Sequence, residues 1–372
     1  MKERTGRILR RAVRSALNIL LLCALILSAA YLCLRGQIGD APPASEWAAY
    51  EKLDYYRDGR FQSPKEVVFD FSKAASGQAS PARLFLRSRN APAELLPKVA
   101  LDRSSFPERP ANFALYWLGH ASAILELSGK RLLFDPVFGN AAPLPFMVLR
   151  YDKPPIAREE LPPVDYIVIT HNHYDHLERK TIREALPTGH FIVPLGVGAA
   201  LRGWGVDADR ITELGWDDSF EEDGLTLTAV EGNHFSGRGV FDRYKTLWAS
   251  FIVQSGERKI FWSGDTGYGE QFARFGEKYG PFDLAALEID GWNEGWRQSH
   301  MFPHQAVQAA LDLRAERVLP IHWGVFDLAW HPWHESIDLF LDAAKSADFT
   351  TLTPKMGERI GPENPPTERW WR

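Results

Sequence analysis

Three histidines and one aspartate lie within six residues, and this run constrains the chain more than any other feature of its sequence. The run is Thr170-His171-Asn172-His173-Tyr174-Asp175-His176-Leu177, after the apolar segment Val164 to Thr170 and before the helix-like segment Leu177 to Leu186. Imidazoles and carboxylates are zinc ligands, and alternate residues of a tight turn can face one ion while the last two face another. A lone histidine is usually a surface or packing residue, but a run this dense predicts a metal site.

Three further candidate ligands stand elsewhere in the chain, each just after an apolar segment of strand length. They are His234 after Leu225 to Val230, Asp265 after Lys259 to Trp262, and His322 after Arg317 to Ile321. Strand ends converge at one rim of a sheet, so residues distant in sequence can build one site there. We therefore expect these three side chains to join the histidine run.

The rest of the chain from residue 111 onward alternates short strands with helices, which predicts an α/β fold. Ser128-Gly129 is typical of a tight hairpin turn between two of the strands. The other predicted strands are Phe113 to Leu118, Ala123 to Leu127, Arg131 to Phe134, Trp248 to Val253 and Ala285 to Ile289, and a further helix is predicted at Pro303 to Leu313.

Residues 1–35 form a basic and then apolar segment. Their net charge is +6, and Ala16 to Leu34 is interrupted only by Asn18 and Ser28. Nineteen helical residues span about 28 Å, close to a bilayer core. The basic residues come first, so an uncleaved helix would leave the N-terminus in the cytoplasm and the body on the periplasmic or extracytoplasmic side. The alternative is a signal peptide cleaved after Ala30, with export of the body.

Composition sets limits on the body of the protein. Residues 36–372 carry a net charge of −11, which leaves no basic footprint for nucleic acid. Both cysteines lie in the N-terminal segment, so the body has no disulfide, thiol nucleophile or cysteine ligand. Residues 36–45 are expected to be a linker, 46–110 an extension that wraps the domain, and 111–372 the catalytic domain.

The motifs resemble those of the metallo-β-lactamase superfamily, and within it N-acyl-phosphatidylethanolamine-hydrolysing phospholipase D and its bacterial, RomA-like relatives. The resemblance covers roughly residues 110 to 340. Besides the histidine run, it rests on Tyr116-Trp117-Leu118-Gly119-His120-Ala121-Ser122, Phe134-Asp135-Pro136, Gly264-Asp265-Thr266-Gly267-Tyr268, His300-Met301-Phe302-Pro303, Ile321-His322-Trp323-Gly324 and His331-Pro332-Trp333.

This resemblance implies a four-layer αββα sandwich with two Zn²⁺ ions at one edge, although the same donors also accept iron or manganese. His171, His173 and His234 would hold the first zinc, while Asp175, His176 and His322 would hold the second. Asp265 would bridge the two ions. Asp175, Asp265 and His300 are the implied catalytic residues, with His300 a donor to developing charge or to the leaving oxygen.

The substrate implied by the resemblance and the N-terminal segment is a membrane phospholipid phosphodiester, which makes the bilayer a partner. An acid at Asp290 or Glu294 near the site argues against phospholipid specificity. The alternatives are a lactonase of the ascorbate-phosphate type and a catalytically silent binding protein of the same fold. Hydrolysis of β-lactam antibiotics is less favoured, because that branch tends to use cysteine or other substitutions absent here.

Other residues near the motifs have open roles. His120 could be a partner of a ligand, and Asp135 is expected to support the site rather than to react. The loop Leu144 to Leu149 either binds acyl chains or a bilayer surface, or packs beneath the extension. Trp292, Trp296 and Trp323 either line the pocket or belong to the core, and His190, His304, His331 and His334 are expected on the surface or in packing roles.

Overall fold

The structure, a computed structural model, describes residues 2–73, 88–184, 186, 188–363 and 365–372. The helices are α1 (Lys2–Ile38), α2 (Ala44–Tyr50), α3 (Arg179–Glu184), α4 (Val197–Gly203), α5 (Gln271–Lys278), α6 (Pro303–Asp312) and α7 (Glu335–Ala343). The strands are β1 (Tyr56–Arg57), β2 (Arg60–Phe61), β3 (Phe113–Gly119), β4 (Ser122–Leu127), β5 (Lys130–Phe134), β6 (Tyr166–Val168), β7 (His190–Pro194), β8 (Ile211–Leu214), β9 (Ser219–Glu222), β10 (Leu225–Val230), β11 (Ser250–Ser255), β12 (Arg258–Trp262), β13 (Leu284–Glu288), β14 (Arg317–Ile321), β15 (Thr350–Thr351) and β16 (Arg359–Ile360).

Two mixed seven-stranded sheets form the body. The N-terminal sheet has the order β16-β3-β4-β5-β6-β7-β8, and the C-terminal sheet has the order β15-β14-β13-β12-β11-β10-β9. In the first sheet β5 to β8 are parallel, and in the second β12 to β15 are parallel. The predicted Ser128-Gly129 hairpin joins β4 to β5, with φ values of 50° and 78°.

The alternation of side chains along the strands produces four layers. In β3, Leu115 and Trp117 face the core between the sheets, while Tyr116 and Leu118 face a second core that includes α3 and α4. Phe134 of β5 stacks on Trp262 of β12 with ring centroids 4.3 Å apart, which joins the two inner faces. Helices α5, α6 and α7 cover the C-terminal sheet. The predicted αββα sandwich is confirmed.

Helix α1 includes one candidate membrane span among the described residues, Val13–Ile38, judged by length and composition. The helix runs to Ile38, three residues into the predicted linker, because its last turn is packed on the body. The carbonyl of Gly36 accepts from Trp204 Nε1 at 2.9 Å. Gly39 then ends the helix in the left-handed region, with φ of 82° and its N–H on Arg35 O.

The segment 44–73 lies against the connection between β10 and β11, where Phe61 N donates to Tyr244 O, and residues 74–87 of the predicted extension fall outside the described residues. Tyr50, Tyr56 and Phe61 form a small apolar cluster with Leu247 and Trp248. Further along, the backbone N–H of Asp70 donates to Gly295 O at 2.7 Å.

Several elements differ from the sequence predictions. The predicted strand Val164 to Thr170 is shortened to β6. The Thr170 N–H donates to Asp135 Oδ1 at 2.8 Å and so does not pair with a neighbouring strand. In the predicted helix Leu177 to Leu186, α3 begins at Arg179, since the Glu178 side chain accepts from Phe138 N at 2.7 Å, and residues 185 and 187 fall outside the described residues. The elements that were not predicted are strands β1, β2, β7, β8, β9, β15 and β16 and helices α2, α4, α5 and α7.

A buried ion pair joins β4 to β5 in the N-terminal sheet. Arg131 Nη2 lies 2.7 Å from Glu126 Oε1, and the two side chains are 4% and 0% exposed. We expect Arg131→Met to lower the free energy of unfolding by about 3 to 5 kcal/mol, because Glu126 stays buried without its cation. Chemical denaturation measures this loss, and Lys345→Met in the exposed Lys345–Asp342 pair is the control with little expected change. Equal stabilities of the two variants would contradict the prediction.

Candidate metal centre

The strands that lead to the candidate ligands all run in one direction within each sheet. In the N-terminal sheet β3, β5 and β6 point to the same edge, and in the C-terminal sheet β10, β12, β13 and β14 do so. The two edges meet, since Ala249 N donates to Thr170 O and His322 N donates to His120 O. This geometry brings together all the residues predicted as ligands.

The first group of ligand atoms contains three imidazoles and one carboxylate. His171 Nε2 lies 2.8 Å from His173 Nδ1, and His234 Nε2 lies 3.3 Å from the same atom. Asp265 Oδ2 is 3.8 Å from His171 Nε2 and 3.6 Å from His234 Nε2. These four residues form one candidate metal site.

The second group shares Asp265 with the first. Its Oδ1 lies 3.2 Å from His176 Nε2 and 3.1 Å from His322 Nε2. Asp175 Oδ2 is 3.6 Å from each of these two nitrogens. The two oxygens of Asp265 therefore face different groups, which is the arrangement of a carboxylate that bridges two ions.

The donor atoms suit a cation better than they suit one another. Among the described residues, His176 Nε2, His322 Nε2 and Asp265 Oδ1 are buried without a hydrogen bond. Burial and the imidazole of His176 hold the pKa of His171 well below its ordinary value, which favours the neutral, metal-binding form. Burial would raise the pKa of Asp265, but His176 and His322 outweigh it and hold this pKa well below its usual range. Burial lowers the pKa of His176 and His322, but the carboxylates of Asp265 and Asp175 outweigh it and raise both values, so these two rings are held beside ionised carboxylates. Imidazoles, with His171 in its neutral form, around ionised carboxylates fit zinc or a similar divalent metal, which would take the place of the protons on His176 and His322.

Outer hydrogen bonds orient the ligands. Asp135 Oδ2 lies 2.8 Å from His176 Nδ1 and accepts from Thr170 Oγ1 at 2.7 Å, so it supports the site as expected. His234 Nδ1 lies 2.9 Å from Ser299 O. His120 Nε2 lies 3.0 Å from Asp175 Oδ2, which makes His120 a partner of a candidate ligand or a fourth member of its group.

The backbone is strained where it delivers these residues. His120, Asp135 and His322 have positive φ values of 54°, 37° and 77°, a region that L residues rarely adopt. Gly264 also has a positive φ, and a Cβ there would lie 2.7 Å from Thr170 Cβ. Strain of this kind persists where the surroundings fix a functional geometry.

His300 lies beside both groups, together with a glutamate that the sequence analysis missed. His300 Nε2 is 4.0 Å from Asp265 Oδ2, and its Nδ1 is 3.3 Å from Glu288 Oε1. Glu288 is fully buried at the end of β13, where it also accepts from Met301 N at 2.8 Å. The sequence does contain a signal for Glu288, since it is the one acid at the end of the otherwise apolar segment Leu284-Ala285-Ala286-Leu287-Glu288.

The two acids expected near the site have other partners. Asp290 is 6% exposed, accepts from Ser336 Oγ at 2.6 Å and lies 3.1 Å from His331 Nε2. Glu294 is exposed and accepts from Arg297 Nη2 at 2.6 Å. Each acid thus has a partner within the protein, and the expectation that either opposes a phosphodiester stays a prediction.

The remaining predicted residues divide between core and surface. Trp323 is buried against Trp117, whereas Trp292 is part-buried and stacks on His331 with centroids 4.6 Å apart. Trp296 is buried and contacts Phe69 of the extension. The loop Leu144 to Leu149 is at least partly exposed along its length. Among the other histidines, His304 is exposed, His190 and His334 are part-buried, and His331 packs beside Asp290.

The role of Asp135 can be tested by Asp135→Asn. The amide has only one acceptor, so it cannot serve Thr170 N and His176 Nδ1 at once. We expect metal affinity, measured by competition with a chelator, to fall about 10- to 100-fold. Asp223→Asn, which removes a mostly exposed carboxylate paired with Lys130, should leave the affinity unchanged. Unchanged affinity in Asp135→Asn would rule out the positioning role.

Comparison with known proteins places the site in a family. The model "Beta-lactamase superfamily domain" matches residues 130–323. The chain is similar to N-acyl-phosphatidylethanolamine-hydrolyzing phospholipase D 1 of Caenorhabditis elegans, with 32% identity over 71% of this chain and 79% of that protein. It is 47% identical to the outer membrane protein RomA of Klebsiella pneumoniae over 27% of this chain and 76% of that protein.

A solved structure supports the fold alone. The isothiocyanate hydrolase from Delia radicum gut bacteria is 19% identical, with a TM-score of 0.54 over 67% of this chain and 98% of that one. These matches confirm the resemblance expected from the motifs. The chain belongs to the metallo-β-lactamase superfamily and is a hydrolase of that fold.

Proposed function

We propose that the chain is a dinuclear zinc hydrolase that cleaves a phosphodiester of membrane phospholipid. The observation that carries the proposal is the placement of Asp265, whose two oxygens face separate groups of ligand atoms. In this proposal Asp265 would bridge the ions, with His171, His173 and His234 holding the first and Asp175, His176 and His322 holding the second if both are bound.

The side chains divide the work at this site. Zinc in such a ligand set supplies Lewis acidity and an activated water at neutral pH. His300 is assigned as the donor that balances charge on the phosphoryl oxygens or protonates the leaving oxygen. Glu288 Oε1 lies 3.3 Å from His300 Nδ1. The carboxylate favours a proton on Nδ1, in the neutral or the protonated imidazole, and this orients Nε2 toward the reacting group. With both cysteines in the N-terminal segment, no thiol nucleophile is available in the body.

Three observations support the phospholipid as substrate. The similarity to the Caenorhabditis elegans phospholipase extends over most of the chain. The candidate membrane span ends beside the domain that carries the site. The Glu294 carboxylate is paired with the Arg297 guanidinium, which offsets its charge, and the Asp290 carboxylate accepts from Ser336 Oγ.

The proposed location follows from the N-terminal helix. With basic residues before the span, the N-terminus stays in the cytoplasm and the catalytic domain lies on the extracytoplasmic side. Retention of α1 keeps the domain at the lipid surface, where a phospholipid substrate is concentrated.

The test uses the full chain reconstituted in vesicles and measures turnover of three substrates. We expect hydrolysis of N-acyl-phosphatidylethanolamine and of bis(p-nitrophenyl) phosphate, and loss of both activities after treatment with a chelator. Turnover of a sugar-acid lactone without turnover of either phosphodiester would replace this proposal with a lactonase. Bound metal without turnover of any of the three would favour the binding protein.

A further inference from the structure

Two large apolar side chains stand exposed at the tip of a loop that follows the ligand His234. Val240 is 86% exposed and Phe241 is 91% exposed. The loop is built to present them, because the Asp242 carboxylate accepts from Arg238 N at 2.9 Å and from Gly239 N at 2.8 Å. Adjacent apolar side chains that a fixed turn holds in solvent indicate a surface that binds another apolar surface.

The loop lies against the end of α1. A Cβ at Gly239 would lie 3.2 Å from Ile38 Cδ1, and Arg238 Nε and Nη2 donate to Gln37 O at 3.0 Å and 2.9 Å. Ile38, Pro42, Trp47, Val240 and Phe241 line a shared apolar groove of about 370 Å³. The exposed tip and the last turn of the helix therefore form one surface.

The length of α1 indicates what covers this surface. Val13–Ile38 has 26 residues. At 1.5 Å per residue such a helix extends for about 39 Å, more than the roughly 30 Å of a bilayer core. The apolar stretch Ala16 to Leu34 within it already spans about 28 Å, so the last turn after Leu34, which begins with Arg35, emerges at the headgroup level, and the loop beside that turn lies at the same depth. The occupant that fits is a lipid surface.

The same arginine connects this surface to the metal centre. Arg238 Nη1 donates to Asn172 O and Leu177 O, both at 2.8 Å, and the guanidinium lies 3.9 Å from the ring centroid of Tyr174. Tyr174 stands between the ligands His173 and Asp175. One buried side chain thus joins the end of the membrane helix to the metal-binding turn.

We propose that the loop 239–242 inserts Val240 and Phe241 into the bilayer surface beside α1 and docks the metal-binding face of the domain on the membrane. The inference rests on the proposed retention of α1 as a membrane span. It does not depend on which substrate the site turns over.

The test places a fluorescent probe at the tip. Cys23 and Cys33 are replaced by alanine, Phe241→Cys is labelled with an environment-sensitive dye, and the full chain is reconstituted in vesicles of phosphatidylethanolamine and phosphatidylglycerol. An interfacial apolar segment lies about 5 to 10 Å into the headgroup and acyl boundary, so lipids with doxyl groups near the headgroup should quench most of the signal. Glu257→Cys, on the exposed β11–β12 turn at the opposite end of the sheet, should lose none.

An unquenched probe at position 241 would overturn the proposal, and a probe that is shielded but unquenched would assign the tip to a protein contact. Val240→Cys provides the same readout if the first variant does not fold. Because quenching requires no turnover, failure of the proposed phosphodiesterase activity leaves this result intact. As a second measurement, Val240→Asp with Phe241→Asp should slow turnover of vesicle-bound N-acyl-phosphatidylethanolamine while turnover of soluble bis(p-nitrophenyl) phosphate is kept.

Discussion

Replacing Asp265 with alanine is expected to abolish turnover and to leave at most one metal ion per chain. This carboxylate supplies one oxygen to each group of ligand atoms, at 3.1 Å from His322 Nε2 and 3.6 Å from His234 Nε2. In the proposed centre, its loss would remove a ligand from both sites at once. Metal assistance contributes several kcal/mol to hydrolysis, and about 4 kcal/mol is a thousandfold in rate, so we expect turnover to fall by about a thousandfold or more.

The measurement combines metal content by elemental analysis with turnover of bis(p-nitrophenyl) phosphate. Asp283→Ala is the matched control. This aspartate lies just before β13 and accepts from Lys259 N, at the end of the C-terminal sheet away from the site. The control should keep both metals and its activity. An Asp265→Ala protein with two metals and normal turnover would refute the bridging role.

Replacing His300 with alanine is expected to reduce turnover about 10²- to 10⁴-fold, the usual contribution of a positioned acid or base. The bound metal should be unchanged, because the proposed ligand set is complete without His300. Glu288→Gln should reduce turnover less than His300→Ala does. In the proposal Glu288 affects the reaction through the His300 imidazole, whose Nδ1 lies 3.3 Å from Glu288 Oε1.

A matched control is available four residues further on. His304 is exposed on α6, and His304→Ala should retain full turnover. If His300→Ala loses metal together with activity, His300 is a ligand instead, as its grouping with Asp265 and His322 would allow. Full activity with full metal would remove His300 from the mechanism.

The sequence predicts the centre of this fold well because the informative signals there are local. The run from His171 to His176 combines rare ligand types at short spacing, and apolar segments precede His234, Asp265 and His322. Because the strands that precede these residues run in the same direction within each sheet, their C-terminal ends lie at one edge, and the candidate ligands come together there. The comparisons confirm the superfamily that these motifs indicate.

The residues that the sequence did not reveal act through long-range contacts. Glu288 is an acid at the end of an apolar strand, and its contact with His300 is evident only from the fold, where β13 places it beside the imidazole. Arg238 is one of 43 basic residues, and only the fold shows that it joins Gln37 O to Asn172 O. Strand β9, Ser219-Phe220-Glu221-Glu222, lacks an apolar pattern because it is an edge strand.

The extent of α1 was also not evident from hydropathy. The apolar stretch ends at Leu34, but hydrogen bonds from Trp204 and Arg238 to the carbonyls of Gly36 and Gln37 hold the last turn on the body. The exposure of Val240 and Phe241 was equally hidden, because an apolar pair in a Gly-rich stretch is compatible with either core or surface.

The most direct test of the dinuclear centre is a zinc titration of the chelator-stripped full chain, with bound zinc and phosphodiester turnover measured on the same samples. We predict that the stripped protein is inactive, that it binds two zinc ions per chain, and that full turnover returns only when both are bound. Full turnover in the stripped protein, or full turnover with a single bound zinc, would contradict the proposal.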